Sequence, residues 1–551
     1  MREISLSYLI SISAVQCARL ALPSLSLACA VTTVLPTAVG ASEADGSLYN
    51  PEAVVPPQCY TKHEGKFNPC YVCHQDHRDD ERLNAMNDQR LQSEYDFLEP
   101  ARKNHWTNLF VDRRPLIAQI DDHQILEYAG QDNYSSLAGR LEQSGWQGYI
   151  PRMKDLQEAG AAFDRWGLAR DGSGWVAFNY KPLPSTFWPT NGSTDDVMLR
   201  LPESFRTDAL GHYDRGIYLL NLSITEAAIK DLDEISIPPT DEQRIGVDLD
   251  GDGSLRTRVT RLKRPDNYLG AAADLRVHLF LYPQGTEFLH TVRYLGVDEE
   301  GVIQPARRLK ELRYMRKDMF LYPQQIRNLY ERLEHEEEED VDSNTTGDQT
   351  KGGVQPAGDH GYDNGFGWYV QGFIEDAEGE LRPQSTEEGL FCMGCHASIG
   401  ATVDSTFAFA RKMTGTSGWG YIDLHEMPDA PLVGEEVGEI LQYFRRVGGG
   451  DEFRENEELL KRFFREGGRV NADKVRSMDV YGLINPSRSR AIALNKAYWT
   501  IVREQSFIRG RDANWAPMDN VYRRVDPDTA PTLPKSKQFD SDIRLDWSMR
   551  Q

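Results

Sequence analysis

The sequence predicts an α+β protein of several domains, in which helical regions flank a β-rich middle. Three observations predict it. The chain has 551 residues, more than a single core ordinarily organises. Its middle third carries short runs that alternate or cluster like strands, at 174–180, 216–222, 258–262 and 276–282. Runs with helical spacing lie beyond them. Residues 324–333 look helical, apolar positions 433, 437, 440, 441, 444 and 447 fall on one helical face, and residues 455–465 and 487–508 read as amphipathic helices. In the last of these Leu494, Tyr498, Ile501 and Val502 share a face, behind Pro486.

Taken in order, residues 1–41 read as an export signal. An apolar run follows Arg19, Pro36 breaks it, and Val39-Gly40-Ala41 supplies the small residues of a cleavage site before Ser42. An uncleaved membrane anchor is disfavoured by Pro23 and Pro36 within the run, so no span is expected after cleavage. Acylation of Cys29 is disfavoured too, because Ser26 stands three residues before it, where a larger apolar residue is preferred. Residues 42–130 form an irregular, histidine-rich first region with His63, His77, His105 and His123. Residues 131–333 form the β-rich middle domain. Residues 334–353, with the acidic run Glu336 to Asp340 and then Gly352-Gly353, read as a solvated linker. Residues 354–447 form a further domain, whose closing helix Gly448 to Gly450 ends. Residues 448–551 form a helical C-terminal region with a polar tail.

The net charge is −23, with 40% hydrophobic and 27% charged residues. So negative a chain argues against nucleic acid as partner, since that needs a basic face. It favours a basic partner protein drawn in by long-range attraction, or serves solubility alone.

The chemistry concentrates in two pentapeptides, Cys70-Tyr71-Val72-Cys73-His74 and Cys392-Met393-Gly394-Cys395-His396. Cys-x-x-Cys-His is the attachment signature of c-type haem. Each sulfur adds to one vinyl group, and the adjoining histidine reaches the iron from one side. Zinc would want four ligands where each motif offers three, and a redox dithiol does not require the histidine. On these motifs the chain resembles di-haem c-type cytochromes. The resemblance implies two covalently bound haem c groups, with His74 and His396 as proximal ligands. It also implies export to the periplasm or beyond, where haem c is attached. Cys59 remains over, eleven residues before the first motif.

Residues 354–447 resemble a small cytochrome c domain, through the second pentapeptide, Met427-Pro428 and the closing helix. That resemblance offers Met427 as distal ligand, with His425 as rival because the span from His396 is short. Arg411 and Lys412 are candidates for the haem carboxylates. The expected function is electron transfer to a redox partner. The alternative is a di-haem oxidoreductase, peroxidase- or oxygenase-like, with one reactive and one electron-delivering haem. The size of the middle domain speaks for that alternative.

A third site is Asp248-Leu249-Asp250-Gly251-Asp252-Gly253. Carboxylates at positions 1, 3 and 5, with Gly at 6, match the first half of a calcium loop. Position 12 is Val259, so the bidentate carboxylate is missing, and the same residues suit a tight hairpin turn.

Overall fold

In the computed structural model the residues described are 48–75, 97, 99–184, 187–343, 353–397, 399–448, 456–526, 528–539 and 543–548. The signal segment with Cys29, His77, and the linker from 344 to 352 lie outside them.

Among the described residues ten strands are formed: β1 (Val176–Ala177), β2 (Thr194–Arg200), β3 (Glu234–Thr240), β4 (Val259–Lys263), β5 (Glu287–Val297), β6 (Ile303–Lys317), β7 (Gln355–Pro356), β8 (Tyr362–Asp363), β9 (Trp368–Glu375) and β10 (Leu381–Pro383). Eight make one antiparallel sheet in the order β1-β2-β5-β6-β9-β8-β7, with β10 on β9; β3 and β4 make a separate hairpin. The protein is thus α+β, as the sequence indicates. The long β5–β6 hairpin is the spine of the sheet. Because side chains alternate across a strand, it has two different faces. Leu289, Leu312, Tyr314 and Phe373 meet Leu137 and Leu141 on one side. On the other, Phe288, Met315 and Val370 join a core that also contains Cys70, Cys392 and Met393.

The helices used below are α1 (Arg215–Lys230), α2 (Glu242–Ile245), α3 (Pro323–Ser343), α4 (Thr386–Leu390), α5 (Met393–His396), α6 (Glu439–Val447) and α7 (Arg488–Glu504). Two expectations are corrected here. Residues 216–222, read as a strand, lie in α1. Asp214 caps it by accepting from the Ile217 amide, and all of Ile217 to Lys230 is buried. A helix buried all round loses the periodicity by which it would be recognised. The acidic run from Glu336 to Asp340, read as linker, continues α3 as far as Ser343. Beyond it β9 returns to pair with β6, so the sheet continues past the stretch read as a boundary.

Residues 42–551 form one unit. Its C-terminal tail clasps the first pentapeptide region: Lys62 N–H donates to Asn520 at 2.6 Å, Tyr522 N–H to Tyr60 at 2.8 Å and Asn68 N–H to Pro531 at 2.8 Å.

Candidate functional site

Each pentapeptide folds into a single helical turn. In the first, the amides of Cys73 and His74 donate to the Cys70 carbonyl at 3.1 and 2.9 Å. Asn68 starts the turn: its Oδ1 accepts from Cys70 N–H at 2.9 Å, and its Nδ2 donates to the Cys59 carbonyl at 2.5 Å. In the second, the amides of Cys395 and His396 donate to the Cys392 carbonyl at 3.2 and 3.1 Å. A helical turn puts residues three apart on one face, so each cysteine pair presents both sulfurs to the same side.

The second turn is held against the inner face of the sheet by α4. A reciprocal cap begins α4: the Glu388 amide donates to Ser385 Oγ at 3.3 Å and the Ser385 amide to Glu388 Oε2 at 2.8 Å. Ser-x-x-Glu is legible in sequence as a helix start. Arg511 then ties helix to sheet, donating to the Glu388 carbonyl at 2.6 Å and to Glu311 of β6 at 3.1 Å.

His396 is oriented by its surroundings. Its Nδ1 lies 3.0 Å from the Ser405 carbonyl. A carbonyl only accepts, so Nδ1 carries the proton and the Nε2 lone pair is left for a metal. Burial drives the imidazole pKa down to about 4, so the ring is neutral at pH 7, the form a metal ligates. His396, Cys395 and Arg313 are half-buried. Arg313 donates Nε to Glu311 at 2.9 Å, and its terminal nitrogens have no acceptor among the described residues. Neighbouring Cys392 also edges a cleft lined by Trp146, Tyr362, Gly372 and Gln384. Both amide atoms of Gln384 are buried without a partner.

The donor set, two cysteines on one turn and an imidazole whose Nε2 lone pair is uncommitted, has the chemistry of a covalent haem c site. Two other readings of the cysteines fare worse. Burial pushes the thiol of Cys395 up to about 11 and raises that of Cys392, whereas a reactive dithiol needs a lowered pKa. Among the described residues, the ligand atoms of these cysteines do not converge with others as in a zinc site. None of the five described cysteines is in a disulfide.

The other residues singled out in the sequence are placed as follows. Met427 is 1% exposed, in a core with Leu441, Phe444 and Val480 that is separate from the one holding Cys392. The helix α6, expected to close over the haem, belongs to this same second core. His425 is at the surface, 2.8 Å from Asp423 and stacked on Tyr481 at 4.0 Å. Arg411 and Lys412 are buried in ion pairs, with Glu439 at 2.6 Å and Glu226 at 2.7 Å. They are thereby committed to protein partners. Cys59 is raised well above its usual range by burial and by its neighbours Cys70 and Cys395.

The acidic loop joins β3 to β4. Asp248 accepts from the amides of Gly251 and Gly253, both at 2.8 Å. Oxygens of Asp248, Asp250 and Glu242 lie within 4.8 Å of one another. Asp252 turns away to pair with Arg256. Glu242, on α2, was not singled out in the sequence because it precedes the loop.

Comparison with known proteins places the chain. A family model described as that of a lipoprotein matches residues 44–480. An "Uncharacterized lipoprotein" of Aquifex aeolicus (strain VF5) is 33% identical over 523 residues, covering 84% of this chain and 86% of that protein. The chain belongs to this lipoprotein family. No solved structure matches. Membership bears out export. It overturns the expected function: the family and this relative are described as lipoproteins, not as electron-transfer cytochromes or as di-haem peroxidases or oxygenases. The structure gives a physical reason for part of the error. The small cytochrome c arrangement that suggested a carrier needs Met427 and α6 over the second pentapeptide, and both belong to another core. No helix among the described residues is long and apolar enough to cross a membrane.

Proposed function

We propose that this exported protein is a lipid-tethered haem holder. Its cofactors are two covalently bound haem c groups, one on Cys70, Cys73 and His74, the other on Cys392, Cys395 and His396. The observation that carries the reading is the pair formed by His396 and Ser405: an imidazole whose proton is fixed on Nδ1, next to two cysteines on one turn. When bound, the group supplies an iron centre. The chain's own residues would anchor it through the sulfurs, offer Nε2 of His396 from one side, and present the guanidinium of Arg313 as a nearby charge partner.

The tether is proposed at Cys29, which follows Leu27-Ala28 in the apolar run. It places the protein on the periplasmic side of a membrane. Family membership supports this over cleavage near Ser42. Two measurements test the proposal. Intact mass of the exported chain should exceed that of the unloaded chain by two haem masses; a gain of one or none overturns it. Cys29→Ser should move the protein from the membrane to the soluble fraction, and a variant that stays membrane-bound removes the tether from the reading.

A second reading concerns calcium. The convergence of Glu242, Asp248 and Asp250 supports it, because Glu242 supplies the carboxylate that position 12 lacks.

A further inference from the structure

We infer that the two haem groups are held side by side as one coupled pair, an inference that rests on the attachment proposed above. The sequence separates the pentapeptides by most of the chain. The fold brings their turns against a common wall, and three independent contacts fix the approach.

The first contact is at Gly394, between the two cysteines of the second turn. A Cβ there would run into the carbonyl oxygen of Val54 and come within 3.0 Å of Pro56 Cδ. The turn at residues 54–56, ahead of the first pentapeptide, therefore lies directly on the second attachment turn, and only glycine permits that distance. The second contact is on the far side: the amide of Ala401 donates to the carbonyl of Cys73 at 3.2 Å. The segment just after the second pentapeptide is thus bonded to the last cysteine of the first. The third is Trp106, which spans the junction. Its Nε1 donates to Val55 at 2.9 Å, and its ring meets Phe391, the residue before Cys392, edge-on at 5.6 Å.

Between these contacts sits Cys59, in the short turn Pro57–Tyr60. Its carbonyl accepts from Asn68 Nδ2, at the start of the first turn, at 2.5 Å. Cys70, Cys392, Met393 and Ala401 share one core. With residues 54–56 packed on the second turn and the segment after that turn bonded to Cys73, the two regions cannot separate without breaking that core. A macrocycle bonded through sulfur stays within reach of its turn. The two groups consequently begin from the same wall and occupy one enclosure.

Two identical chromophores at such range mix their strong near-ultraviolet transitions, and circular dichroism reads the mixing as a couplet of opposite-signed lobes. The experiment uses the full exported chain. Its Soret-region spectrum is compared with those of two single-group variants, Cys70→Ala/Cys73→Ala and Cys392→Ala/Cys395→Ala, with intact mass confirming the load of each. The expected result is a couplet in the wild type, a one-signed band in each variant, and a wild-type spectrum that the sum of the variants fails to reproduce. If the mass shows two groups and the spectra simply add, the pairing is overturned while the attachment stands. If the mass shows no group, the attachment itself is overturned and the pairing falls with it. Should a variant fail to fold, electron paramagnetic resonance of the oxidised wild type decides. Signals broadened by a neighbouring spin support the pair, and two unperturbed signals at the loading of two groups overturn it.

Discussion

The Ser405 carbonyl accepts the Nδ1 proton of His396 at 3.0 Å, and the backbone is bent out of shape to put it there. Asp404 and Ser405 are consecutive non-glycine residues with φ of 52° and 58°. Left-handed backbone costs a non-glycine residue about 1–2 kcal/mol. The sheet core holds it in place. Asp404 accepts from Lys317 Nζ at 2.5 Å, from the Tyr282 amide at 2.8 Å and from Trp368 Nε1 at 3.4 Å. Ser405 Oγ donates to the Ala397 carbonyl at 3.0 Å. The orientation of the histidine is thus inherited from a buried ion pair on β6. Local strain of this kind is maintained where surrounding structure over-determines it, commonly at functional sites.

The ion pair makes the first prediction. Asp404→Ala leaves Lys317, which is wholly buried, without its counter-charge. Stability should fall by about 3–5 kcal/mol, read as a lower urea midpoint. Haem loading at the second pentapeptide should fall with it. Asp404→Ala combined with Lys317→Met should recover most of the stability but not the loading, because the Ser405 carbonyl is still unsupported. Recovery of both would mean that Asp404 serves stability alone.

Gly394 makes the second. Gly394→Val must push Val54 and Pro56 away from the attachment turn. Overpacking of this sort costs about 1–3 kcal/mol, and here the obstacle is backbone. Gly389→Val offers a control in the neighbouring α4, since there the nearest atom is the Tyr362 ring, at 3.1 Å, a side chain that can shift. The first variant should lose more stability and more haem than the second; equal losses would remove Gly394 from its place at the junction.

The pentapeptides were legible in the sequence because such a motif holds its residues at fixed neighbouring positions. So was the end of α6, where Gly448 takes the left-handed conformation. What was not legible depends on distant partners. Arg411 and Lys412 look like surface cations until Glu439 and Glu226 arrive from other parts of the chain. α1 hid its period by being buried throughout. Ser405 carries no sequence mark, since serine, unlike glycine, asparagine or aspartate, is not favoured at a left-handed position. Met427-Pro428 was misleading in the opposite way. It is a familiar ligand pair, yet the Met427 carbonyl accepts from the Val480 amide at 2.8 Å and its side chain fills a core.

Acid should weaken the tie between α4 and the sheet in a defined window. Burial alone would raise the Glu311 carboxyl, but Arg313 and Arg511 outweigh it and hold the pKa down at about 2, against 4.5 when unperturbed. As pH falls the unfolded chain therefore takes the proton first. The stabilisation is present in full above about 4.5, and is lost as pH drops from there through about 2. Its full size is about 3 kcal/mol. Glu311→Gln should be less stable than wild type at pH 7, and the gap should narrow between pH 4.5 and 2.5. A gap constant with pH, measured by urea unfolding, would show that the carboxylate is not held by those arginines.

The calcium loop makes the last prediction, and it separates the geometry from the sequence pattern. The pattern names Asp248, Asp250 and Asp252. The geometry replaces Asp252, which is paired with Arg256, by Glu242. Glu242 has no exposed surface. It is fixed from both oxygens, accepting from the Leu249 amide at 2.6 Å and the Arg256 amide at 2.8 Å. A carboxylate so placed costs little further entropy on binding an ion. An ion that binds only the folded chain stabilises it by about 2.7 kcal/mol at a hundred times its dissociation constant. A chelator should therefore lower the melting temperature of the wild type, and excess calcium at matched ionic strength should restore it. Glu242→Gln should abolish the response, and Asp252→Asn should keep it. The reverse outcome would return the site to the pattern read from the sequence. A wild type indifferent to the chelator and shown by metal analysis to hold no calcium would leave the loop as a hairpin turn, in which Asp248 only caps the amides of Gly251 and Gly253.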